Sequence, residues 1–219
     1  MELKRTANAG VLLTLDGVSI LLDGVCREVS PYLATPQEER EALTGQWPRV
    51  VCFSHSHKDH YDPAYAAAFQ AQTSRVLLGP ESLPGSKASM EPVTVENVTV
   101  TPVVTRHIGA AGKTTQHASF VIRGSKTVWF MGDASPMQFR QTGLVPVPDV
   151  LIVPYAYCLT PEAWEVTQKW NPGCVVLLHM PDRANDPVGL WDAVNRVIGK
   201  NTNIPVLHMD MGQTVKLDG

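Results

Sequence analysis

The residues that could carry out chemistry are concentrated in one short segment, residues 54–62, with the sequence SHSHKDHYD. Three histidines and a carboxylate fall within six positions of it: His55, His57, Asp59 and His60. In an extended segment, residues two apart point to the same side. The first two histidines can therefore converge on one ion, while the following turn directs the other pair to a second. Because imidazole and carboxylate groups are ligands of divalent transition metals, the spacing predicts a site for two metal ions.

A polar loop whose imidazoles cluster by chance is the alternative interpretation of this segment. The chain has seven histidines in 219 residues, and three of them follow directly on an apolar run at residues 50–53. Such a run predicts a buried strand, which places the histidines at a strand end. The low frequency of histidine and this position together favour the metal site.

The same segment is an HxHxDH signature, and with it the chain resembles the metallo-β-lactamase superfamily over residues 10 to 217. The resemblance implies a four-layer αβ/βα sandwich of two mixed β-sheets flanked by helices, with metal at the edge between the sheets. It also implies a histidine after a middle strand, an aspartate in a strand-end Gly-Asp pair and a histidine after a late strand. His107, Asp133 and His179 follow predicted strands in that order.

The resemblance further implies how the ligands divide between the two ions. The implied ligands are His55, His57 and His107 for the first ion, Asp59, His60 and His179 for the second, and Asp133 as the bridge. His117 is an alternative to His107, but only 16 residues would then separate it from Asp133, so His107 is preferred. His208 also ends a predicted strand, yet it lies too far along the chain and is interpreted as structural.

This donor set indicates both the metal and the reaction. Imidazole and carboxylate without thiolate suit Zn²⁺ first, with Mn²⁺ or Fe²⁺ as alternatives. Two ions about 3.5 to 4 Å apart can share a water and lower its pKa to about 7, which makes hydroxide available as the nucleophile. Asp59 is the expected catalytic residue, because its second oxygen could orient that hydroxide and receive its proton. The sequence has no GxSxG motif and no cysteine beside a histidine, so a protein nucleophile is not expected.

The predicted function is a metal-dependent hydrolase that uses this activated hydroxide on a small ester, lactone or phosphodiester. Within the superfamily the chain looks most like the UlaG-like branch. Tyr155, Tyr157 and His117 are candidates for substrate contact, as is Lys58, with packing or solvated loops as the alternatives. The substrate itself and the oligomeric state stay open.

Two other functions are weighed against the hydrolase. A diiron redox protein acting on oxygen or sulfur compounds is the first, but such relatives usually carry a flavodoxin-like domain, for which 219 residues leave no room, or a mononuclear site. An RNA or DNA phosphodiesterase is the second. Eighteen basic against 21 acidic residues give a net charge of −3, and no basic run exceeds Lys4 and Arg5, so nucleic acid is not an expected partner.

The cellular location follows from features of the same composition. No apolar window approaches the roughly 20 residues that cross a bilayer, and no secretory signal is recognised. The four scattered cysteines, at positions 26, 52, 158 and 174, are interpreted as reduced core thiols. The chain is therefore expected in the cytoplasm, without a membrane partner and with a small-molecule substrate.

The elements that must position the site belong to a single domain, residues 1–219, of the α/β class. Residues 11–22 predict a hairpin around Asp16 and Gly17. Cap and proline patterns predict helices that begin at residues 35–36, 62–63, 160–161 and 186–187. Strand-length apolar runs lie at residues 50–53, 76–78, 98–104, 120–122, 128–131, 150–153, 175–178 and 205–207. Residues 80–92 are expected to form a surface loop.

Overall fold

The structure, a computed structural model, describes residues 1–200 and 203–217. Its strands are β1 (Glu2–Arg5), β2 (Val11–Leu15), β3 (Val18–Leu22), β4 (Val50–Cys52), β5 (Val76–Leu78), β6 (Val93–Val95), β7 (Val98–Arg106), β8 (Gln116–Arg123), β9 (Thr127–Phe130), β10 (Val150–Pro154), β11 (Cys174–Leu178), β12 (Val206–His208) and β13 (Thr214–Lys216). Its α-helices are α1 (Gln37–Gly45), α2 (Pro63–Gln72), α3 (Pro161–Lys169) and α4 (Leu190–Ile198).

The first sheet has six strands in the order β13-β1-β2-β3-β4-β5. The predicted hairpin is confirmed, with β2 antiparallel to β3. β3 then runs parallel to β4, with Leu22 opposite Cys52. Because these two strands end at the same level, the residues that follow them, Asp23 and Ser54, meet at one edge of the sheet.

The second sheet has seven strands in the order β12-β11-β10-β9-β8-β7-β6. Strands β9, β10, β11 and β12 are mutually parallel, and Pro154 of β10 lies opposite Leu178 of β11. The carboxyl ends of parallel strands meet at one edge of a sheet. The segments after β9 and β11, which carry Asp133 and His179, therefore come out on the same side of the molecule.

Three apolar layers hold the two sheets and the helices together. Side chains from both sheets, such as Leu13 and Phe120, form the central layer. Phe53 packs with Tyr65 of α2 on the outer face of the first sheet, and Trp129 packs with Trp164 of α3 on the outer face of the second. The predicted four-layer sandwich of two mixed sheets flanked by helices is confirmed.

Two helix starts differ from the sequence prediction. The capping box at Thr35 and Glu38 does not form, because the Thr35 hydroxyl accepts a hydrogen bond from the distant Cys26 amide at 2.9 Å instead. Helix α4 begins at Leu190 rather than at residue 187, because residues 187–189 form a turn below it. The carboxylate of Asp186 nevertheless accepts from the Leu190 amide at 2.8 Å and so caps the helix across that turn.

The remaining elements agree with the sequence apart from three short strands. β1, β6 and β13 were not predicted, since short strands with polar residues lack an apolar run. The passage at 80–92 is irregular, as expected, and all four cysteines are free thiols. No helix among the described residues is both long and apolar enough to cross a membrane.

Candidate metal centre

The segment after β4 turns sharply and directs its side chains into the edge between the sheets. The amides of His60 and Tyr61 both donate to the carbonyl of His57, at 3.0 and 2.9 Å, which closes the turn. His55 and His60 are buried, while Lys58 between them is exposed. The turn thus separates the predicted ligands from the solvated lysine.

The first predicted group comes together as three imidazoles. The ligand atoms of His55, His57 and His107 all lie within 4.8 Å of one another. His107 follows β7, and its Nε2 is 3.3 Å from Nε2 of His55. Three nitrogens at this spacing can face one ion.

The second predicted group also comes together, from residues more than 100 positions apart in the chain. The ligand atoms of Asp59, His60 and His179 lie within 4.8 Å of one another. Oδ2 of Asp59 is 3.3 Å from Nε2 of His179. This set offers two nitrogens and one carboxylate oxygen to a second ion.

Asp133 lies between the two groups. Its Oδ2 is 3.5 Å from Nε2 of His107 in the first group and 3.5 Å from Nε2 of His60 in the second. The same oxygen is 3.9 Å from Nε2 of His179. The carboxylate thus occupies the position of a bridge.

Unpartnered polar atoms inside this cluster show that its residues fit metal ions. Nε2 of His60, Nε2 of His179 and Oδ1 of Asp133 are buried and have no hydrogen-bond partner in the part of the chain that the structure describes. A buried polar atom without a partner costs about 1–3 kcal/mol. Three such atoms facing one another, all of them metal-ligating types, are what an ion-binding cluster requires.

The sequence matches the family described as Beta-lactamase superfamily domain over residues 2–179. The chain belongs to this family. The match covers strands β1 to β11 and all seven residues of the cluster. A comparison with curated proteins gives no significant match.

Solved structures of low sequence identity share the fold of this β-lactamase superfamily chain. A possible metal-dependent hydrolase from Veillonella parvula DSM 2008 is 15% identical with a TM-score of 0.76, and 99% of each chain is covered. Igni18, a metallo hydrolase from the archaeon Ignicoccus hospitalis, is 20% identical with a TM-score of 0.67, over 100% of this chain and 98% of that one. CmlA, a diiron β-hydroxylase from Streptomyces venezuelae, is 15% identical with a TM-score of 0.67, over 99% of this chain and 54% of that one. The UlaG-like branch stays a prediction.

Asp23 is the residue of this superfamily site that the sequence analysis missed. It is fully buried at the end of β3, where its Oδ2 accepts hydrogen bonds from Nδ1 of His60 at 2.8 Å and from the hydroxyl of Ser54 at 2.5 Å. Its Oδ1 accepts from the Ser54 amide at 2.6 Å. The Ser54 hydroxyl in turn lies 2.9 Å from Nδ1 of His55, from which it can accept. Both carboxylate oxygens are therefore engaged in orienting two histidines of the cluster.

Two further imidazoles of the cluster are oriented in the same way through their second nitrogen. Nδ1 of His107 donates to the carbonyl of Ile108 at 2.7 Å. Nδ1 of His179 lies 3.3 Å from the side-chain amide of Asn8, whose oxygen can accept from it in one of its two orientations. A histidine that donates from Nδ1 keeps the lone pair on Nε2 for a metal.

His117 holds Asp133 in place and does not join the cluster of donor atoms. It lies in β8, which begins at Gln116 rather than at residue 120 as predicted. Its Nε2 accepts from the Asp133 amide at 2.9 Å, so its Nδ1 carries the proton and donates to the Thr105 hydroxyl at 2.7 Å. Burial lowers the pKa of His117 to about 3, which keeps this neutral form. With both nitrogens engaged, His117 has no nitrogen left to bond a substrate.

The electrostatics of His55, His57 and Asp133 suit ligation. Burial lowers the pKa of His55 well below its ordinary value and lowers that of His57 as well, so both imidazoles are neutral near pH 7. Burial alone would raise the pKa of Asp133, but the surrounding imidazoles, His60 first, outweigh it and hold the pKa well below its usual range. Neutral imidazoles and an ionised carboxylate are the forms that bind metal. Burial alone would lower the pKa of His60, but Asp133 and Asp23 outweigh it and raise the pKa well above its ordinary value, so a metal ion there takes the place of a proton.

Two backbone positions make the cluster possible. Gly132 has φ +52, and a Cβ there would lie 2.6 Å from Cβ of Ser54 and 2.9 Å from Nε2 of His117, so a side chain would displace Asp133. His179 has φ +62, a left-handed conformation that is uncommon for histidine and clusters at functional sites.

The two tyrosines predicted as candidates for substrate contact occupy different environments in the structure. Tyr155 is half-buried beside the cluster, with its ring 5.8 Å from that of His179. Tyr157 is fully buried in the apolar layer around α3, 5.9 Å from the Trp170 ring, so it packs and does not reach a substrate. Tyr32, which no local motif marks, lies edge-on to the His179 ring at 4.5 Å.

Replacement of Asp23 by asparagine is expected to weaken metal affinity by about 10- to 100-fold, because the amide removes one of the acceptor oxygens that orient His60 and Ser54. Asp16→Asn is the matched control. Asp16 also has a positive φ and accepts from a serine amide and hydroxyl, those of Ser125, but it is exposed in the hairpin turn. Competition with a fluorescent zinc chelator measures both variants. Equal affinities in the two would show that Asp23 does not support the site.

Proposed function

We propose that this chain is a metal-dependent hydrolase that uses water activated by two divalent ions to cleave a small ester, lactone or phosphodiester. The observation that carries the proposal is the bridging carboxylate of Asp133 between two three-residue donor groups. The unpartnered buried atoms of His60 and His179 support it. The first ion would be held by His55, His57 and His107, and the second by Asp59, His60 and His179.

When bound, such a pair of ions lowers the pKa of water towards neutrality and offsets the negative charge that develops on the substrate. Asp59 would supply the base. Its side chain is the most exposed of the carboxylates in the cluster, 15% against 10% for Asp133, so it faces the open side. Burial alone would raise the pKa of Asp59, but the nearby imidazoles of His179 and His60 outweigh it and lower the pKa. The carboxylate is therefore ionised at neutral pH and can accept the proton of the attacking water.

A route through a cysteine nucleophile is not supported. Burial raises the pKa of Cys52 and of Cys158, so neither forms the thiolate that nucleophilic attack requires. Activated water remains the best-supported nucleophile.

Open space beside the cluster fits a small substrate. A cavity of about 570 Å³ lies on the His57 side, where the Thr115 hydroxyl on its wall is 3.5 Å from Nε2 of His57. A second cavity, of about 360 Å³, lies on the His179 side and includes Asn8 and Tyr32. Volumes of this order hold a small organic molecule. A small-molecule partner is proposed, with neither nucleic acid nor a membrane.

Zn²⁺ is the proposed metal, with Mn²⁺ or Fe²⁺ as the alternatives that the same donors accept. The four free thiols fit the reducing cytoplasm, which is the proposed location.

Replacement of His57 by alanine tests the proposal directly. We expect it to lower the metal content and to abolish turnover, because one of three nitrogens facing the first ion is lost. Elemental analysis of the purified protein, run alongside a panel of lactones, thioesters and bis(p-nitrophenyl) phosphate, measures both. Lys58→Ala, in the same turn but exposed, is the control for metal content.

Three results would count against the hydrolase. Unchanged metal stoichiometry in His57→Ala would contradict the ligand assignment. Iron with visible absorption, without hydrolysis of any member of the panel, would favour a diiron redox protein. Cleavage of RNA or DNA in preference to the small substrates would favour a nuclease.

A further inference from the structure

The cavity on the His179 side extends from the neighbours of that histidine to an arginine. Its inner end is formed by Asn8 and Tyr32, both of which contact His179. Its outer wall carries Arg183 and Trp191. A molecule in this cavity would thus have one end beside the residues that contact His179 and the other at the guanidinium.

Arg183 is held on a fixed platform. Its guanidinium carbon lies 3.7 Å above the centre of the Trp191 ring. Nε1 of Trp191 donates to the carbonyl of Pro181 at 2.9 Å, and its backbone amide donates to the Asp186 carboxylate at 2.9 Å. A cation stacked on an immobilised ring loses little side-chain entropy on binding an anion.

Arg183 is also the cation of this cavity that is available to a ligand. The other one, Arg5, is largely buried and donates to the carbonyls of Ala7, Asn8 and Met209. Burial lowers the pKa of Arg5, and the negative charges of Asp210 and Asp182 partly offset this effect. Among residues 1–200 and 203–217, no carboxylate forms an ion pair with Arg183.

Arg183 also affects the pKa of a neighbouring histidine, His208. The ring of His208, in β12, lies 5.2 Å from the ring of Trp191, on which Arg183 stacks. Burial lowers the pKa of His208, and Arg183 lowers it further.

We propose that this cavity is the recognition subsite of the hydrolase and that Arg183 binds a carboxylate of the substrate. The proposal rests on the proposed function and narrows its substrate class to esters or lactones that carry a carboxylate away from the bond that is cleaved. A guanidinium binds a carboxylate with two parallel hydrogen bonds. Asp182 and Asp210 on the same rim repel a group that carries two negative charges, so a carboxylate fits better there than a phosphate monoester. Met180 and Leu33 supply apolar walls for the chain between the two ends.

A pair of esters that differ only in a terminal carboxylate tests the subsite in the metal-loaded enzyme. Mono-4-nitrophenyl adipate carries the carboxylate, and 4-nitrophenyl hexanoate has a methyl group in its place. We expect Arg183→Gln to raise KM for the adipate ester about tenfold or more and to change KM for the hexanoate less than twofold, because a charge-assisted hydrogen bond is lost only with the first. Arg196→Gln is the matched control, because Arg196 is also exposed and lies in α4, the helix that follows Arg183.

Binding of free adipate to the metal-free protein separates this proposal from the proposed function. Without metal, a carboxylate cannot bind to an ion at the centre, so calorimetry reports the arginine alone. We expect wild type to bind adipate in preference to adipamide and Arg183→Gln to lose at least tenfold in affinity. Equal binding of the two ligands by wild type, or equal binding of adipate by the variant, overturns the subsite. Selective binding by wild type without hydrolysis of either ester leaves the subsite standing and counts against the proposed function.

Discussion

Replacement of Asp133 by alanine is expected to remove both ions together and to lower turnover about a thousandfold, which corresponds to about 4 kcal/mol of transition-state stabilisation. Oδ2 of Asp133 lies 3.5 Å from a nitrogen of each donor group, so its loss affects both sites at once. It also removes the negative charge that would offset two divalent cations in a buried cluster. Elemental analysis and steady-state kinetics on the substrates of the panel measure the two effects.

Asp149→Ala is the matched control for this variant. Asp149 precedes β10 at the opposite end of the second sheet, where it is exposed and its Oδ2 accepts from the Thr127 amide at 2.7 Å. We expect it to keep both ions. Asp133→Ala protein that still holds two ions would contradict the bridging role, and a loss of only one ion would assign Asp133 to a single site.

Removal of the metal is expected to lower Tm by about 8–16 °C without unfolding the protein. At a free metal concentration of about 1,000 times Kd, binding to the native state alone contributes about 4 kcal/mol, and each kcal/mol moves Tm by about 2–4 °C in a chain of this size. The apo protein should stay folded, because its three apolar layers do not depend on the cluster. Scanning calorimetry after dialysis against a chelator, and again after Zn²⁺ is restored, measures the difference.

The control for this experiment is the same measurement of Tm, with and without Zn²⁺, on Asp133→Ala protein. A variant that does not hold the ions should show no change of Tm with Zn²⁺. A wild-type Tm that is the same with and without metal would mean that the unpartnered atoms of His60, His179 and Asp133 are not metal ligands.

Most of the fold could be predicted because its central strands carry uninterrupted apolar runs. Strands such as β4, β10 and β11 are buried on both faces, and such strands stand out in a sequence without any partner being known. The short strands β1, β6 and β13, which carry polar residues, could not be predicted in this way. The start of α1 was predicted wrongly because Thr35 satisfies the Cys26 amide, a contact between residues nine apart that no local rule contains.

The site, like the fold, could be predicted from residue types and spacing only where the residues concerned are neighbours in the sequence. His55, His57, Asp59 and His60 lie in one turn, so their type and spacing are enough to indicate a metal site. The choice between His107 and His117 depended on which of the two side chains turns a free nitrogen toward the cluster. The packing of β8 against the segment that carries Asp133 decides this, because it places Nε2 of His117 on the Asp133 amide. The ligand assignments themselves stay predictions until metal is measured.

The amino-acid sequence by itself determined the kind of chemistry, since imidazole and carboxylate donors at strand ends bind metal wherever the strands lie. Only the tertiary structure decided what surrounds those donors: Asp23 behind His60, Tyr32 against His179, and Arg183 on Trp191 at the far end of the cavity. The first two contacts join residues 37 and 147 positions apart, and the third joins residues eight positions apart across an irregular loop. Long-range contacts of this kind are set by how sheets and helices pack, and no spacing in the chain encodes them.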